Sequence, residues 1–88
     1  MDRHPAWIVE IDLTEDEDHT RAGATLVAGR REFVGWGHAR RNPSDPAVPL
    51  IGEELAVARA LEDLAHHLVH EAAATVETFE GHPITLRS

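Results

Sequence analysis

The amino-acid sequence predicts an α+β fold in which an antiparallel sheet of three to four strands carries one long C-terminal helix on one face. Over roughly the first forty residues, apolar and polar side chains alternate, as in half-buried strands. After position 50 the apolar spacing changes to three and four residues, which is typical of an amphipathic helix. A proline-rich segment separates the two patterns, so the predicted order is β-β-β-α.

The first strand is predicted over about residues 6–13. Its apolar side is formed by Trp7, Val9, Ile11 and Leu13. The acidic residues 15–18 interrupt the alternation, and because neighbouring like charges prefer solvent, we interpret them as a hairpin connection.

The second and third strands are predicted over about residues 20–28 and 32–39, with a turn beginning at Gly29 between them. Gly35 and Gly37 fall on the same face of the third strand. Without side chains, they leave a smooth surface on which a helix backbone can lie closely.

Residues 41–49 contain three prolines and are predicted to be a rigid surface linker. Pro49 suits the first turn of a helix over about residues 50–78, and the tail at 83–87 fits either a short fourth strand or an ordered end. A helix of this length measures about 40 Å, whereas strands of eight or nine residues reach about 25 to 30 Å. We therefore expect the helix to extend past its sheet, to bend or to fray.

The apolar residues of the helix spread over about 180° of its circumference, which exceeds the stripe of about 100° that packing on one sheet requires. Alanines and the linker of the same chain are one way to cover the excess. Two-fold association is the commonest form of oligomer, so the pattern favours a homodimer in which helix flanks or exposed sheet faces meet. The candidate interface residues are Ile8, Trp36, Leu50, Leu64 and Val69.

Composition excludes several classes of function. The 88 residues suffice for one domain, spanning 1–88, and 16 acidic against 8 basic residues give a net charge of -8, which disfavours nucleic acid and anionic membranes as partners. The absence of cysteine excludes disulfides and thiolate metal sites. No apolar run reaches the length of a membrane span, and the start lacks the apolar stretch of a signal peptide, so we expect a cytoplasmic protein.

Seven histidines raise the question of a metal site. His66 and His70 lie one helical turn apart, with Glu62 in the same row, and imidazole binds zinc or nickel. Three residues in such a row span about 12 Å, so only two can bind one ion, and a third ligand has to come from His38, His82 or a partner chain. The order of residues does not match His-Glu-x-x-His.

The alternative interpretation of this region is a polar helix flank. Charges alternate at four-residue spacing through Arg59, Asp63, His67 and Glu71. Such a ladder stabilises a helix by a few tenths of a kcal/mol per pair, and its histidine is also suited to a pH-responsive role. The sequence favours this polar flank over a metal site.

Other motifs do not predict catalysis or a cofactor. The acidic run at 15–18 lacks the spacing of a calcium-binding loop, and Gly35-Trp36-Gly37 lacks the third glycine of a dinucleotide fingerprint. Neither serine lies in a nucleophile motif. Arginines concentrate between positions 21 and 41, which we attribute mainly to pairing with acids and otherwise to a phosphate or RNA contact.

Five segments together resemble an actinobacterial family of small proteins of unknown function, over about residues 7–86. They are Trp7-x-Val9-Glu10, Thr20-Arg21-Ala22-x-Ala24, Gly35-x-Gly37-x-Ala39-Arg40-x-Asn42-Pro43-x-Asp45, Val48-Pro49-x-Ile51-Gly52-x-Glu54-Leu55 and Ala58-Arg59-Ala60-Leu61-x-Asp63-Leu64-Ala65-His66. The resemblance implies a fold similar to double-stranded-RNA-binding domains and a dimer, with no catalytic residues to carry over.

The chain departs from that family at Leu50, where we expect an acid. Glu53 and Glu54 stand where RNA-binding relatives of the fold use lysines, so the resemblance does not imply RNA binding. We predict a non-enzymatic, cytoplasmic homodimer acting as an interaction or accessory module without a cofactor. The alternatives are a metal-binding protein that uses the helix histidines and a weak nucleic-acid binder.

Overall fold

The computed structural model describes residues 5–42, 44 and 48–80, and it confirms the predicted fold class. Three antiparallel strands lie in the order β1-β2-β3 and are followed by one helix. The elements are β1 (Ile8–Glu15), β2 (His19–Ala28), β3 (Arg31–Arg40) and α1 (Pro49–Glu80).

These bounds differ from the expected ones by one or two residues. β1 begins and ends two residues later than predicted, whereas β2 and β3 are slightly longer. Pro49 is the first residue of α1. The predicted fourth strand or tail at 83–87 lies outside the described residues, as do positions 43 and 45–47 of the linker.

The acidic run forms the β1–β2 connection, as predicted. Oδ1 of Asp16 accepts hydrogen bonds from the backbone N–H of Asp18 at 3.0 Å and of His19 at 2.8 Å. An aspartate that bonds the backbone two and three residues ahead stabilises a tight turn. In the β2–β3 turn, Gly29 adopts a φ of 66°, which glycine reaches without steric cost.

The pairing register defines the two faces of the sheet, because directly paired residues share a face. On the side that faces the helix, four rows cross the sheet: Val9–Leu26–Phe33, Ile11–Ala24–Gly35, Leu13–Ala22–Gly37 and Glu15–Thr20–Ala39. The β2 members of these rows are buried. On the outer side, Ile8 pairs with Val27, and Gly23 with Trp36.

The helix lies directly on β3, as the glycines predicted. A Cβ at Gly37 would clash with the backbone of Ala56 and Ala60, and one at Gly35 with the backbone of Ala60 and Leu64. The core is correspondingly built from small residues, with two larger ones. Its members are Ala22, Ala24, Leu26, Ala39, Ala56, Ala60 and Leu64.

The helix is longer than its sheet, as expected from the predicted lengths. Its 32 residues span about 48 Å, whereas the 10 residues of β3 span about 33 Å. Gly37 meets α1 near its start, Gly35 meets it one turn later, and Arg31 pairs with Glu71. Residues 72–80 of α1 therefore extend past the sheet, at the end where β1 begins; we call this segment the helix overhang.

Candidate interaction surface

The helix covers the sheet unevenly. It packs against β3 and β2, whereas β1 is exposed along its length apart from the half-buried Ile11. A helix is about 10 Å wide and neighbouring strands lie about 4.8 Å apart, so one helix covers about two strands. β1 is therefore left without a covering element among the described residues.

Apolar side chains line this uncovered strand on its helix side. Val9 is 39% and Leu13 43% exposed, although the register places both on the same face as the core. Ile11 lies between them and packs against the margin of the core, as do Val57 and Leu68 of the helix. We call the surface formed by Val9, Ile11 and Leu13 the β1 face.

The helix flank beside the β1 face is also apolar. Leu61 is exposed and falls on the same helical stripe as Val57 and Leu68, at spacings of four and seven residues. The stripe continues at Phe79 in the helix overhang, which is 86% exposed and is the most exposed large apolar side chain of the described residues. Exposed apolar residues also cluster at the start of α1, at Leu50, Ile51 and Leu55.

The opposite flank of α1 binds the free edge of β3. Oδ2 of Asp63 accepts a hydrogen bond from the backbone N–H of Trp36 at 2.8 Å. The guanidinium of Arg59 donates to the carbonyl oxygen of His38, also at 2.8 Å. The distance from Nδ1 of His67 to the carbonyl oxygen of Val34 is 2.7 Å, so this nitrogen carries the proton.

The row of alternating charges, Arg59, Asp63, His67 and Glu71, is therefore more than a solvent-exposed polar flank of the helix. Arg59, Asp63 and His67 bind backbone groups that an edge strand otherwise presents to other chains. Glu71 pairs with the side chain of Arg31. The spacing of the ladder was visible in the sequence, but its role depends on which strand lies beside it. One feature of the sequence could have indicated this role: Arg59 and Asp63 are adjacent to Ala60 and Leu64, the helix residues that contact the glycines of β3.

The outer face of the sheet carries a second, smaller apolar region. Ile8 is 77% exposed and pairs with the exposed Val27, whereas Trp36, which is 62% exposed, lies two rows away along the strands. The indole of Trp36 lies over Gly23, where a side chain would clash with the ring. No helix covers this side among the described residues.

The five interface candidates do not form one surface. Ile8 and Trp36 lie on the outer face, Leu50 lies at the exposed start of α1, and Val69 is half-buried along the helix. Leu64 is only 3% exposed and belongs to the core beside Gly35, so its side chain is used within the chain itself. The width of the apolar arc did not reveal which of its residues face the sheet.

The histidine row carries no assembled metal centre in the described part of the chain. Glu62, His66 and His70 are exposed, and no three His, Asp or Glu side chains of the described residues approach closely enough to hold an ion. His67 instead lies with Nε2 at 3.6 Å from Oδ1 of Asp63. His82 lies outside the described residues.

A cavity of about 470 Å³ lies between the β1–β2 turn and the start of α1. Here a hydrogen bond from Glu53 and the proximity of its charge raise the pKa of Glu15 above its ordinary 4.5. The backbone N–H groups of His19 and Asp18 lower the pKa of Asp16 below 3.8. The end of β1 therefore contacts the helix through the carboxyl groups of Glu15 and Glu53, which repel each other when both are ionised.

The arginines are divided between the two ends of the sheet. Arg41 pairs with Asp18 at 3.2 Å at one end. Arg31 pairs with Glu71 at the other end, with its guanidinium 5.3 Å from the ring centre of Phe33. These two pairs match the expectation that the arginines pair mainly with acids.

Comparison with known proteins gives a consistent result. A family model described as Rv2632c-like matches residues 5–85. The uncharacterized protein Mb1767 of Mycobacterium bovis is 44% identical over 80 residues, covering 91% of this chain and 85% of that protein. The uncharacterized protein Rv2632c of Mycobacterium tuberculosis is 40% identical over 77 residues, covering 88% and 83%.

A solved structure also matches. The crystal structure of Rv2632c superposes with a TM-score of 0.84 at 36% identity, covering 93% of this chain and 98% of the other. In the described residues, no helix has both the length and the apolar character needed to cross a membrane.

Proposed function

Because the chain belongs to the Rv2632c-like family, whose relatives carry no activity in their names, we propose that it is a cytoplasmic homodimeric interaction or accessory module without catalytic activity. The observation that carries this proposal is the uncovered β1 face. Val9 and Leu13 lie on the core side of the sheet and are still exposed by about two fifths.

The energetic argument follows from the size of the chain. A domain of 88 residues buries a small fraction of its surface compared with larger domains, and this core consists mostly of alanine. Burying a Val or Leu side chain fully contributes about 1.5 to 3 kcal/mol. Covering the β1 face with a second chain therefore adds stability that the monomer lacks.

The proposal of a non-catalytic role is supported by the chemistry of the polar groups. The carboxyl groups with shifted pKa values are exposed: a hydrogen bond with Glu53 raises the pKa of Glu15 at the end of β1, and backbone N–H groups of the β1–β2 turn lower that of Asp16. The ladder residues are engaged in binding β3. The similarity to double-stranded-RNA-binding domains stays a prediction, and Glu53 and Glu54 weigh against phosphate binding at the helix start.

The test is the molar mass in solution, measured by light scattering at micromolar concentration. We expect about twice the 9.7 kDa of one chain. Two neighbouring residues on opposite faces of β1 provide matched variants: Val9→Asp changes the β1 face, and Ile8→Asp changes the outer face. We expect Val9→Asp to dissociate the dimer and Ile8→Asp to leave it intact.

A wild-type mass near 9.7 kDa would contradict the proposal. A dimer that survives Val9→Asp but not Ile8→Asp would move the interface to the outer face, and the β1 face would lose its role. Circular dichroism of each variant shows that it is folded before its mass is interpreted.

A further inference from the structure

We propose that the outer face of the sheet binds a purine nucleotide, with the ring stacked on the indole of Trp36 and the phosphate held by the side chains of Arg21 and His38. These three residues lie on the opposite side of the sheet from the β1 face. The inference therefore goes beyond the proposed homodimer and does not rest on it.

The indole of Trp36 is held against the sheet and is still open to solvent. A Cβ at Gly23, its direct partner on β2, would lie 2.8 Å from Cζ3 and 3.3 Å from Cε3 of the six-membered ring. That ring therefore lies against the backbone of Gly23. Because Trp36 is nonetheless 62% exposed, a large part of the indole surface is available to a ligand. An aromatic side chain positioned in this way stacks with a nucleobase of any sequence.

The side chains next to the indole supply a cation without an acidic partner. Arg21 lies directly opposite His38 on this face, and Trp36 is its diagonal neighbour. Direct partners lie about 4.5 to 5.5 Å apart at Cβ and diagonal neighbours about 7 to 8 Å apart, so the three side chains border the same space. In the part of the chain that the structure describes, neither the guanidinium nor the imidazole takes part in a hydrogen bond or an ion pair.

The space between these residues has a size that suits a small ligand. It is a cavity of about 340 Å³, lined by Trp36, His38, Arg21 and the backbone of Gly37. Pockets that bind small molecules measure about 300 to 1,000 Å³. A guanidinium group binds a phosphate through two parallel N–H donors, and an imidazole N–H adds a third. The aromatic and the cationic walls of the cavity therefore match the two ends of a nucleotide.

The charges around the cavity favour a small ligand over a strand of nucleic acid. Asp12 shares a row with Gly23 and Trp36, and Glu10 and Glu32 lie further along the same face. The whole chain has a net charge of -8. A strand that crosses this face would bring further phosphates close to these carboxylates, whereas a single phosphate group needs only one cationic position. The carboxylate of Asp12 also accepts hydrogen bonds, which favours a ring that carries an amino group, as adenine does.

The first experiment measures binding of adenosine monophosphate (AMP) to the full chain by isothermal titration calorimetry. The two tryptophans are matched in exposure, at 63% for Trp7 and 62% for Trp36, and they differ in their surroundings. We expect Trp36→Leu to weaken AMP binding by about tenfold or more and Trp7→Leu to change it by less than about twofold. Circular dichroism of both variants shows that they are folded.

The second experiment tests the cation with side chains that do not support the fold. Arg21→Gln is compared with Arg30→Gln, which removes the same charge from an exposed residue of the β2–β3 turn. We expect Arg21→Gln to weaken AMP binding by about tenfold or more and Arg30→Gln to change it by less than about twofold. Both side chains are exposed, so both variants should keep the wild-type melting temperature.

The third experiment divides the ligand into its parts. Adenosine lacks the phosphate and ribose phosphate lacks the ring, so each should bind at least about tenfold more weakly than AMP. A single-stranded adenine oligonucleotide tests the alternative of a nucleic-acid strand, and we expect it to bind no more tightly than AMP.

An absence of AMP binding at millimolar concentration would overturn the proposed site. Binding that neither Trp36→Leu nor Arg21→Gln weakens, or adenosine binding as tight as that of AMP, would do the same. An oligonucleotide that binds much more tightly than AMP would assign this face to nucleic acid instead. All of these results leave the homodimer standing, because its test is the molar mass. An emission maximum of Trp36 that shifts with protein concentration in the absence of nucleotide would place a second copy on this face and overturn both proposals.

Discussion

At β3, the backbone groups of an outer strand contact side chains of the helix, whereas at β1, the other outer strand, no described residue covers the helix-side surface. Asp63 and Arg59 bind one N–H and one carbonyl group of β3 directly. Val9 and Leu13 of β1 point to the same side of the sheet and remain exposed. The same helix therefore completes the sheet at one strand and leaves it incomplete at the other.

The difference originates in the two flanks of α1. The flank over β3 alternates charges at four-residue spacing, so its side chains reach the strand edge in register, and the flank towards β1 is apolar. Polar groups complete the fold within one chain, whereas an apolar flank gains by contact with further apolar surface. A small domain can in this way specify a fold and an association surface with one helix.

The largest effect is expected where the helix touches β3. In Gly37→Ala, the added Cβ would clash with the backbone of Ala56 and Ala60, which no rotamer change relieves. We expect a loss of about 3 kcal/mol or more in the free energy of unfolding, measured by urea denaturation. Gly29→Ala is the control, because its Cβ meets no neighbouring atom and only the positive φ strains it, at about 1 kcal/mol. Equal losses in the two variants would show that the helix does not lie as closely on β3 as described.

A smaller effect tests the binding of the β3 edge. Asp63→Ala leaves the backbone N–H of Trp36 without its carboxylate acceptor, and we expect a loss of about 1 to 2 kcal/mol. Glu62→Ala removes an exposed carboxylate one position away and should change the free energy of unfolding by less than about 0.5 kcal/mol. Aggregation of Asp63→Ala at high concentration, measured by light scattering, would further support the role of the ladder as edge protection. If the two variants are equally stable, the hydrogen bond from Trp36 to Asp63 does not stabilise the fold, and the row of charges is only an exposed polar flank.

The next predicted effect is a dependence of stability on pH, which arises where Glu15 of β1 lies beside Glu53 of α1. Because the folded-state pKa of Glu15 is raised, its contribution to stability is fully present below its ordinary value of 4.5 and is lost as the pH rises through the raised value. Glu15→Gln removes this titration, so the variant should gain stability relative to the wild type between about pH 4 and pH 7 and should equal it at lower pH. Thermal melts across this range measure the difference. Glu17→Gln, which removes a charge from the same turn, should not reproduce the pH dependence.

The last prediction is that added metal ions have no effect on stability. Zinc and nickel should not shift the melting temperature, because the described residues assemble no group of three ligands around His66 and His70. A shift that His66→Ala abolishes and Glu62→Ala reduces would contradict this expectation and would add a function to the exposed side of the helix.

Several features of the fold were predictable because they depend on local spacing. The alternation of Val9, Ile11 and Leu13 predicted a half-buried strand, and the structure places them on one face of a strand, although of the three only Ile11 is half-buried. Gly35 and Gly37, two residues apart, predicted the close approach of a helix, which is confirmed. Periodicity reports which face of an element is apolar, and this information resides in neighbouring residues.

That the helix covers β3 and β2 but leaves β1 exposed was not predictable from local spacing. Which strands the helix covers is decided by contacts between residues distant in the sequence, such as Asp63 with Trp36. For this reason the sequence indicated the ladder without its role, and it proposed Leu64 for an interface although that residue is buried in the core. A broad apolar arc defines how much surface must be covered but not which part of it the sheet covers.

The most direct test of the account uses the two tryptophans of the chain, which lie beside different surfaces. Trp7 precedes β1, whose start forms one end of the β1 face, and Trp36 lies on the outer face over Gly23. Each is isolated by replacing the other with phenylalanine, and its emission maximum is followed from nanomolar to high micromolar concentration. A blue shift of Trp7 over the range in which the mass doubles, with Trp36 unchanged, is the predicted result. A shift of Trp36 with Trp7 unchanged would place association on the outer face and contradict the account.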